Sequence, residues 1–82
     1  MVVVSYEHLF EKKVKKIKDE VLKSKVKKQI IKIVNNPQIG KPMSYSRKDT
    51  REVYISPFRL SYAYLKNEDK IIFLDLYHKD EQ

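Results

Sequence analysis

The spacing of apolar residues changes once along this 82-residue chain, and this change limits the folds open to it. Between residues 7 and 35, apolar positions recur every three or four residues, as on one face of a helix. After residue 49 they alternate with polar positions or form short apolar runs, which is typical of strands. A β-branched run at residues 2–6 precedes the helical region. This order predicts an α+β domain in which a strand and a helical segment precede a β-meander.

The helical region is predicted to contain two helices. One apolar stripe consists of Phe10, Val14, Ile17 and Val21. A second stripe, out of phase with the first, consists of Leu22, Val26, Ile30, Ile33 and Val34. Because the phase slips near residues 18–24, we expect a break there and a helical hairpin packed on one face of the sheet. A single kinked helix is the alternative, since neither Gly nor Pro marks the break.

The C-terminal half is predicted to form three antiparallel strands. Residues 50–56 alternate, which places Glu52 and Tyr54 on the face opposite Arg51, Val53 and Ile55. The second strand is predicted at residues 58–66. The third, at residues 71–77, is apolar and is therefore expected to be central. Residues 39–42 are predicted to be a loop, and one domain is expected over residues 1–82.

The charge of the chain indicates the kind of partner it binds. Lys and Arg number 18 and Asp and Glu number 11, which gives a net charge of +7. This excess favours a polyanion, RNA above all, although solubility alone would also account for it. Many of the lysines lie on the predicted helices, opposite the apolar stripes. Lys12, Lys16 and Lys27 are candidate RNA contacts there, and a solvated face is the alternative.

Several absences narrow the possible functions. The chain has no Cys, which excludes disulfides, thiolate zinc sites and a Cys nucleophile. A single Gly excludes a Gly-rich phosphate loop. The N-terminal residues lack the basic region of a signal peptide, and no apolar run approaches the length of about 18 residues that spans a membrane. We therefore expect a cytoplasmic protein without a metal, a cofactor or a membrane partner.

Three segments resemble the RelE/ParE toxins of toxin–antitoxin pairs. The family's linker, NPxxGKPL, is similar to NPQIGKPM at residues 36–43. Its pattern LRxLRVGxYRLIY is similar to TREVYISPFRLSY at residues 50–62, and its closing strand, IxxLDxxHRKDxY, to IIFLDLYHKD at residues 71–80. The motifs occur in the family's order, and the family's element order, β-α-α-β-β-β, matches the predicted one.

The resemblance implies an activity and a catalytic site. Toxins of the RelE branch cut mRNA in the ribosomal A site without a metal, by attack of a 2′-hydroxyl on the neighbouring phosphate. Such a reaction needs a proton acceptor, a proton donor and cations that stabilise the phosphate. By position in the motifs, Arg59 would stabilise the phosphate with help from Arg51, and Lys79 would add positive charge. His78 would act as acid or base.

The resemblance also extends to RNA binding and to a protein partner. Tyr54 occupies the position of a second family Arg and could stack on a nucleobase, or it could simply pack on the sheet. Arg47 and Lys48 are further candidate RNA contacts. The implied partners are mRNA, the ribosome and an acidic, RelB-like antitoxin, possibly in a toxin–antitoxin hetero-oligomer.

Two other functions stay open at this point. A ParE-type toxin inhibits DNA gyrase by binding and needs no catalytic residues. The tyrosine that closes the family's pattern has no counterpart in this sequence, which favours that reading. A non-catalytic RNA-binding toxin homologue is the third possibility. For Arg59 itself, a structural salt bridge across strands is the alternative to a role at the phosphate.

Overall fold

The computed structural model describes residues 2–43 and 49–81. Within these ranges the elements are β1 (Val3–Tyr6), α1 (His8–Lys15), α2 (Glu20–Asn35), β2 (Lys41–Pro42), β3 (Thr50–Ile55), β4 (Phe58–Leu65) and β5 (Lys70–His78). Single turns of 3₁₀-helix follow β4 and β5, at Lys66–Glu68 and Lys79–Glu81. The predicted α+β class, with a strand and two helices before a β-meander, is confirmed.

The strands form one mixed sheet in the order β1-β5-β4-β3-β2. The meander β3-β4-β5 is antiparallel, as predicted, but β1 lies parallel to β5 at the edge. The two helices connect β1 to the rest of the sheet, and a crossover of this kind is what a parallel pairing requires. The central strand is β4, not the predicted third strand of the meander. Four consecutive residues of β4, from Leu60 to Ala63, are buried.

Residues 39–42 were predicted to be a loop, but two of them form β2. Lys41 pairs with Glu52 and Pro42 pairs with Arg51 in β3. The strand lies at the edge of the sheet. A proline is tolerated there because the N–H that it lacks is not needed by a neighbouring strand. A strand of two residues shows no alternation, so its sequence gives no periodic signal.

The helical hairpin breaks where the apolar phase slips. Residues 16–19 separate the helices, and Asp19 caps α2, since its Oδ1 accepts hydrogen bonds from the N–H groups of Val21 (2.9 Å) and Leu22 (3.3 Å). Side-chain capping of this kind satisfies N–H groups that have no partner inside the helix. Val21 is exposed, so the first apolar stripe ends at Ile17.

A single hydrophobic core lies between the helices and one face of the sheet. The helices contribute Phe10, Val26 and Ile33, and the sheet contributes Ile55, Leu60, Tyr62, Ile71, Phe73 and Leu76, all of them buried. Aromatic rings stack at the β1 edge, where Phe73 lies 5.3 Å from Tyr6 and 5.4 Å from Phe10. We call the opposite side of the sheet the open face, because the two helices pack on the core side.

An irregularity in β5 decides which of its side chains reach the open face. Ser61 pairs with Asp75 and the next residue, Tyr62, pairs with Phe73, so Leu74 is an extra residue in β5. Such a bulge shifts the alternation of side chains by one position. Ile71, Phe73 and Leu76 therefore all lie on the core side. Tyr77, which would otherwise follow the phase of Phe73, is turned to the open face.

Candidate functional site

A pocket on the open face gathers charged and aromatic side chains from several strands. Its volume is about 320 Å³, and its lining consists of Lys41, Glu52, Tyr54, Arg59 and Lys79. The strand register explains the grouping: Lys41 lies opposite Glu52, Tyr54 opposite Arg59, and Arg59 opposite Tyr77. Directly paired residues on neighbouring strands project to the same side of a sheet. We call this site the open-face pocket.

Glu52 of β3 is hydrogen-bonded to one side chain from β4 and one from β5. Its Oε1 accepts a hydrogen bond from Nη1 of Arg59 at 2.9 Å, and its Oε2 accepts one from the Tyr77 hydroxyl at 2.7 Å. The Glu52 side chain is 18% exposed and the Arg59 side chain 34%. A guanidinium has five N–H donors, so the bond to Glu52 holds Arg59 in place and leaves it capacity to bind an anion.

The open-face pocket carries more positive than negative charge. Among the described residues, Lys41, Arg59 and Lys79 line the pocket together with the carboxylate of Glu52. The backbone N–H of Lys79 donates to the Pro57 carbonyl at 3.1 Å, which ties the segment after β5 to the β3–β4 turn. Tyr54 is 54% exposed and offers an aromatic ring at the same place. Cations beside an exposed aromatic ring are a combination that binds single-stranded nucleic acid.

The structure places Arg51 and His78 on the core side of the sheet, whereas Arg59 lies on the open face. Arg51 pairs with Tyr62 on the core side, and its Nη1 donates to the carbonyl oxygens of Gly40 (2.8 Å) and Gln38 (3.1 Å). His78 pairs with Phe58, whose ring meets the imidazole edge-on at 5.6 Å. Neither residue lines the open-face pocket, which gathers Arg59, Lys79 and Tyr54 from the predicted set.

The predicted RNA contacts on the helices lie on the other side of the sheet from this pocket. Lys12, Lys16 and Lys27 are all exposed. They belong to the helical layer that covers the core side, so they do not share a surface with Arg59. The remaining two candidates, Arg47 and Lys48, lie outside the described residues.

Tyr62 fixes the segment that brings Lys41 to the pocket. Its buried hydroxyl accepts a hydrogen bond from the Gly40 N–H and donates one to the Pro37 carbonyl, both at 2.8 Å. Burial raises the pKa of the Tyr62 phenol, while the Gly40 N–H and the Arg51 guanidinium act in the opposite direction. A Cβ at Gly40 would lie 2.5 Å from the Tyr62 hydroxyl, so this close approach requires glycine. We call this arrangement the Tyr62 latch.

Three residues of the site were missed by the sequence reasoning. Glu52 carried a usable signal, because alternation in β3 already placed it on one face with Tyr54. Lys41 was assigned to a loop, and Tyr77 reaches the open face only through the bulge. A bulge leaves no reliable mark in a single sequence, so Tyr77 could not have been placed from its spacing.

The described part of the chain offers neither a cluster of metal-binding side chains nor a membrane-spanning helix. Over residues 2–43 and 49–81, no three His, Asp or Glu side chains are grouped so that they could hold a metal ion. No helix in that part of the chain combines the length and the apolar character needed to cross a membrane.

The arrangement of strands and helices is that of the RelE toxins. The RelE-type chain in the intact Escherichia coli RelBE toxin–antitoxin complex superposes with a TM-score of 0.81 at 14% identity, over 95% of this chain and 96% of that one. RelBE2 from Mycobacterium tuberculosis gives 0.77 at 18% identity, over 95% and 98%. YafQ from E. coli gives 0.77 at 21% identity, over 99% and 97%.

The family itself is shown by sequence. Residues 4–82 match the family described as the ParE toxin of the type II toxin–antitoxin system parDE. The chain therefore belongs to the ParE toxin family of type II toxin–antitoxin systems, and it shares its fold with the RelE toxins. A search among curated proteins gave no match.

Proposed function

We propose that this toxin is an endoribonuclease that cleaves mRNA on the ribosome, with the open-face pocket as its catalytic site. The observation that carries the proposal is the grouping of Arg59, Lys41 and Lys79 around one hydrogen-bonded carboxylate, Glu52. This set supplies positive charge for a phosphate and a proton acceptor beside it. The net charge of +7 supports a polyanionic substrate.

Each residue of the pocket has a role in cleavage through the 2′-hydroxyl. Arg59 binds the scissile phosphate and stabilises the charge that develops on its oxygens. As Arg59 turns its N–H groups to the phosphate, Oε1 of Glu52 becomes available to accept the 2′-hydroxyl proton. The 2′-oxygen then forms a bond to phosphorus, and the bond to the 5′-oxygen breaks to leave a 2′,3′-cyclic phosphate. The ammonium group of Lys41 or Lys79 gives the 5′-oxygen its proton.

Tyr77 and Tyr54 hold other groups in position and do not transfer protons. Tyr77 donates to Oε2 of Glu52 and so keeps the carboxylate directed at the pocket. Tyr54 provides a surface on which a nucleobase next to the scissile bond stacks, a contact worth about 1–3 kcal/mol. His78 and Arg51 stay predictions of the motif resemblance, and the geometry does not require them for this reaction.

The proposal includes a protein that keeps the toxin inactive. The structures of E. coli RelBE, M. tuberculosis RelBE2 and the RelE–RelB complex from Pyrococcus horikoshii are complexes of toxin with antitoxin. We infer an acidic antitoxin for this toxin as well, bound to it in a cytoplasmic hetero-oligomer. The excess of positive charge on the toxin makes an acidic partner favourable.

The test is cleavage of mRNA on programmed ribosomes by the purified protein. The wild type should cut the message, and Arg59→Ala should cut it about 100 to 1,000 times more slowly, because it removes a donor that stabilises transition-state charge. Lys25→Ala, a change at an exposed lysine of α2, serves as the matched control and should retain the rate. Intact message with the wild type, beside cleavage by E. coli RelE in the same assay, would overturn the proposal.

One finding favours a second candidate, inhibition of DNA gyrase. The family whose model matches residues 4–82 is named for ParE toxins. Inhibition of gyrase supercoiling by the wild type, together with intact mRNA on ribosomes, would select this function. In that case Arg59→Ala should change gyrase inhibition only as far as it weakens binding.

A further inference from the structure

Another pocket lies on the core side, at the edge of the sheet that ends in β2. Its volume is about 240 Å³, and its lining includes Pro42, Met43, Asp49, Arg51, Tyr64 and Lys66. Pockets that enclose a whole small-molecule ligand usually measure about 300–1,000 Å³, so this one suits a smaller group. We call it the edge pocket. Its described residues differ from those of the open-face pocket.

Arg51 is the charge of the edge pocket that the fold holds in place. Its Nη1 donates to the carbonyl oxygens of Gly40 at 2.8 Å and Gln38 at 3.1 Å. Over the described residues, no carboxylate forms an ion pair with Arg51, and no group accepts the N–H groups of its Nη2 and Nε. Arg51 is therefore a half-buried cation with a fixed orientation and free donors, which is suited to an anion with two oxygens.

This arginine differs from the one on the open face. Arg59 is bound to the carboxylate of Glu52 at 2.9 Å, so an incoming phosphate must compete with that anion. The acceptors of Arg51 are neutral carbonyl groups, so a phosphate at Arg51 displaces no negative charge. Arg51 is the better prepared of the two to hold an anion.

The other side chains of the edge pocket suit one nucleotide. Lys66 is exposed on the 3₁₀ turn after β4 and adds a second positive charge. Tyr64 is half-buried and gives the pocket an aromatic wall. Asp49 is exposed and forms no ion pair with a described residue, so its carboxylate reduces the attraction for an anion. Cations beside an aromatic ring bind the phosphate and base of single-stranded nucleic acid.

The register of β2 makes the edge pocket a neighbour of the open-face pocket. Lys41 and Glu52 form one pair and line the open-face pocket, while the next pair, Pro42 and Arg51, lines the edge pocket. Consecutive residues of a strand are only about 3.3 Å apart. Because β2 is the last strand in the sheet order, a polymer can pass around it without crossing another strand of the described sheet.

We propose that the edge pocket binds a second phosphate of the RNA strand whose scissile phosphate lies in the open-face pocket. The strand passes around β2, Arg51 and Lys66 hold the phosphate, and the ring of Tyr64 contacts the adjoining base. The inference rests on the proposed function, because it requires RNA in the open-face pocket. It gives Arg51 a role in binding the substrate at a distance from the reacting atoms.

An RNA phosphate suits the edge pocket better than the other anions that arginine binds. A carboxylate of a protein partner would also pair with Arg51, but it would make no use of an aromatic wall. RNA held at Lys41 brings its next phosphates to the β2 edge without a second binding event. A second copy of the toxin would bring another net charge of +7 to these cations, which is unfavourable.

The experiment measures the affinity of the protein for 2′-O-methyl oligouridylates, which lack the attacking hydroxyl and stay uncut. A probe of about three nucleotides should fill the open-face pocket alone and one of about 12 should reach both pockets, since single-strand sites cover about 4–16 nucleotides. Lys66→Ala should weaken binding of the long probe about three- to fivefold and leave the short probe within about twofold. Lys25→Ala, on α2, is the matched control and should leave both affinities unchanged.

A second variant should act in the opposite direction. Asp49→Asn removes the negative charge of the edge pocket and should strengthen binding of the long probe about two- to fivefold. The backbone at Asp49 has a φ of 66°, a conformation that asparagine adopts more readily than most residues, so the fold is retained. Arg51→Gln should weaken the long probe about tenfold or more. Since Arg51 also holds two carbonyl groups, thermal unfolding of that variant is measured alongside.

The two probes and the two exposed positions give results that would overturn the proposal. Unchanged affinity for the long probe in both Lys66→Ala and Asp49→Asn would exclude RNA from the edge pocket. Equal weakening of both probes in Lys66→Ala would exclude one strand that joins the two pockets. A glutamate-rich peptide that binds with this dependence on Lys66 and Asp49, where the long probe does not, would make the pocket a site for an acidic protein.

The edge pocket and the catalytic function can fail separately. A protein that binds the long probe through Lys66 but leaves mRNA on ribosomes intact would retain the edge pocket and lose the proposed cleavage. A protein that cleaves the message while Lys66→Ala leaves the long probe unaffected would retain cleavage and lose the edge pocket.

Discussion

The bonds of Glu52 define two states of the open-face pocket at the scale of single residues. Without RNA, both carboxylate oxygens accept hydrogen bonds, from Arg59 and from Tyr77. A bound phosphate would compete with Glu52 for the guanidinium, since both are anions that Arg binds well. In the proposed mechanism, Glu52 opposes RNA binding before it accepts a proton. The two effects can be separated by replacing the carboxylate with a neutral amide.

Glu52→Gln should therefore change binding and catalysis in opposite directions. RNA affinity should rise, because the competing negative charge is gone. The cleavage rate of bound RNA should fall about 100- to 10,000-fold, because the amide cannot accept the 2′-hydroxyl proton. Single-turnover rates and RNA affinity measured side by side check both parts. A variant that binds RNA more tightly and still cleaves at the wild-type rate would exclude Glu52 as the base.

The Tyr62 latch gives a second prediction for a single residue. Tyr62→Phe should lower the free energy of unfolding by about 1–3 kcal/mol, because it leaves the buried Gly40 N–H and the Pro37 carbonyl without their partner. The exposed Tyr54 provides the control, and Tyr54→Phe should change stability little. Denaturant unfolding at neutral pH measures the difference. Equal stability of the two variants would show that water replaces the lost hydroxyl at no cost.

The raised pKa of Tyr62 also predicts a dependence of stability on alkaline pH. Because the unfolded phenol loses its proton near its ordinary pKa of 10.0 and the folded one at higher pH, the latch contributes fully below pH 10. Its contribution should decline as the pH rises from there through the folded pKa. The fall of unfolding free energy above pH 10 should be shallower in Tyr62→Phe than in Tyr54→Phe. The same slope in both variants would contradict this assignment.

The residues of the site show which parts of it the sequence could reveal. Arg59 and Lys79 were predicted through motif resemblance, and both line the open-face pocket. Arg51 was assigned to catalysis although alternation in β3 already placed it on the face of Val53 and Ile55, away from Glu52. Its position was therefore predicted correctly, and its catalytic role stays a prediction. The orientation of His78 could not be predicted, because it depends on the bulge at Leu74.

At the scale of elements, the local sequence pattern predicted the helices and strands that depend on local contacts. The helices and the three meander strands were found because each has its own periodicity. The pairing of β1 with β5 was not, because a parallel partner distant in sequence leaves no trace in the spacing of either strand. β2 was missed because two residues have no period.

At the break between the helices, the side chain of Asp19 caps α2. Asp19→Ala should destabilise the protein by about 0.5–2 kcal/mol, because two N–H groups at the start of α2 lose their acceptor. Asp19→Asn is the matched control and should retain most of the stability, since asparagine also caps well. Thermal unfolding of both variants provides the measurement. Losses of the same size in both would show that the charge of Asp19, rather than capping, is responsible.

At the scale of the whole molecule, the described basic residues lie on both sides of the sheet, and the proposed catalytic residues lie on one of them. If RNA lies in the open-face pocket, then Lys41 and Lys79 neutralise phosphates. The lysines of the helices then contribute mainly to the long-range electrostatic attraction of RNA. Phosphate contacts release counterions and appear in the salt dependence of affinity. The salt dependence of RNA affinity therefore distinguishes the two sides of the sheet.

Lys41→Ala should reduce the slope of log affinity against log salt by about 0.7 for single-stranded RNA, the amount expected for one lost phosphate contact. Lys25→Ala, on α2, should leave the slope nearly unchanged. Equilibrium RNA binding at several salt concentrations measures both. If Lys25→Ala lowers the slope as much as Lys41→Ala does, the RNA path includes the helices.

The parallel pairing of β1 with β5 also affects the timing of synthesis. Val3 pairs with Lys70 and Tyr6 pairs with Phe73. During synthesis, β1 therefore cannot join the sheet until β5 has left the ribosome. The long loop between β1 and β5 must also close before the contacts between these strands form, and the entropy lost in closing it slows folding. Lys79 and Tyr77 are made even later than most of β5. A nascent chain interrupted before residue 70 would have neither a complete sheet nor a complete pocket, so the domain can fold only after β5 has been made.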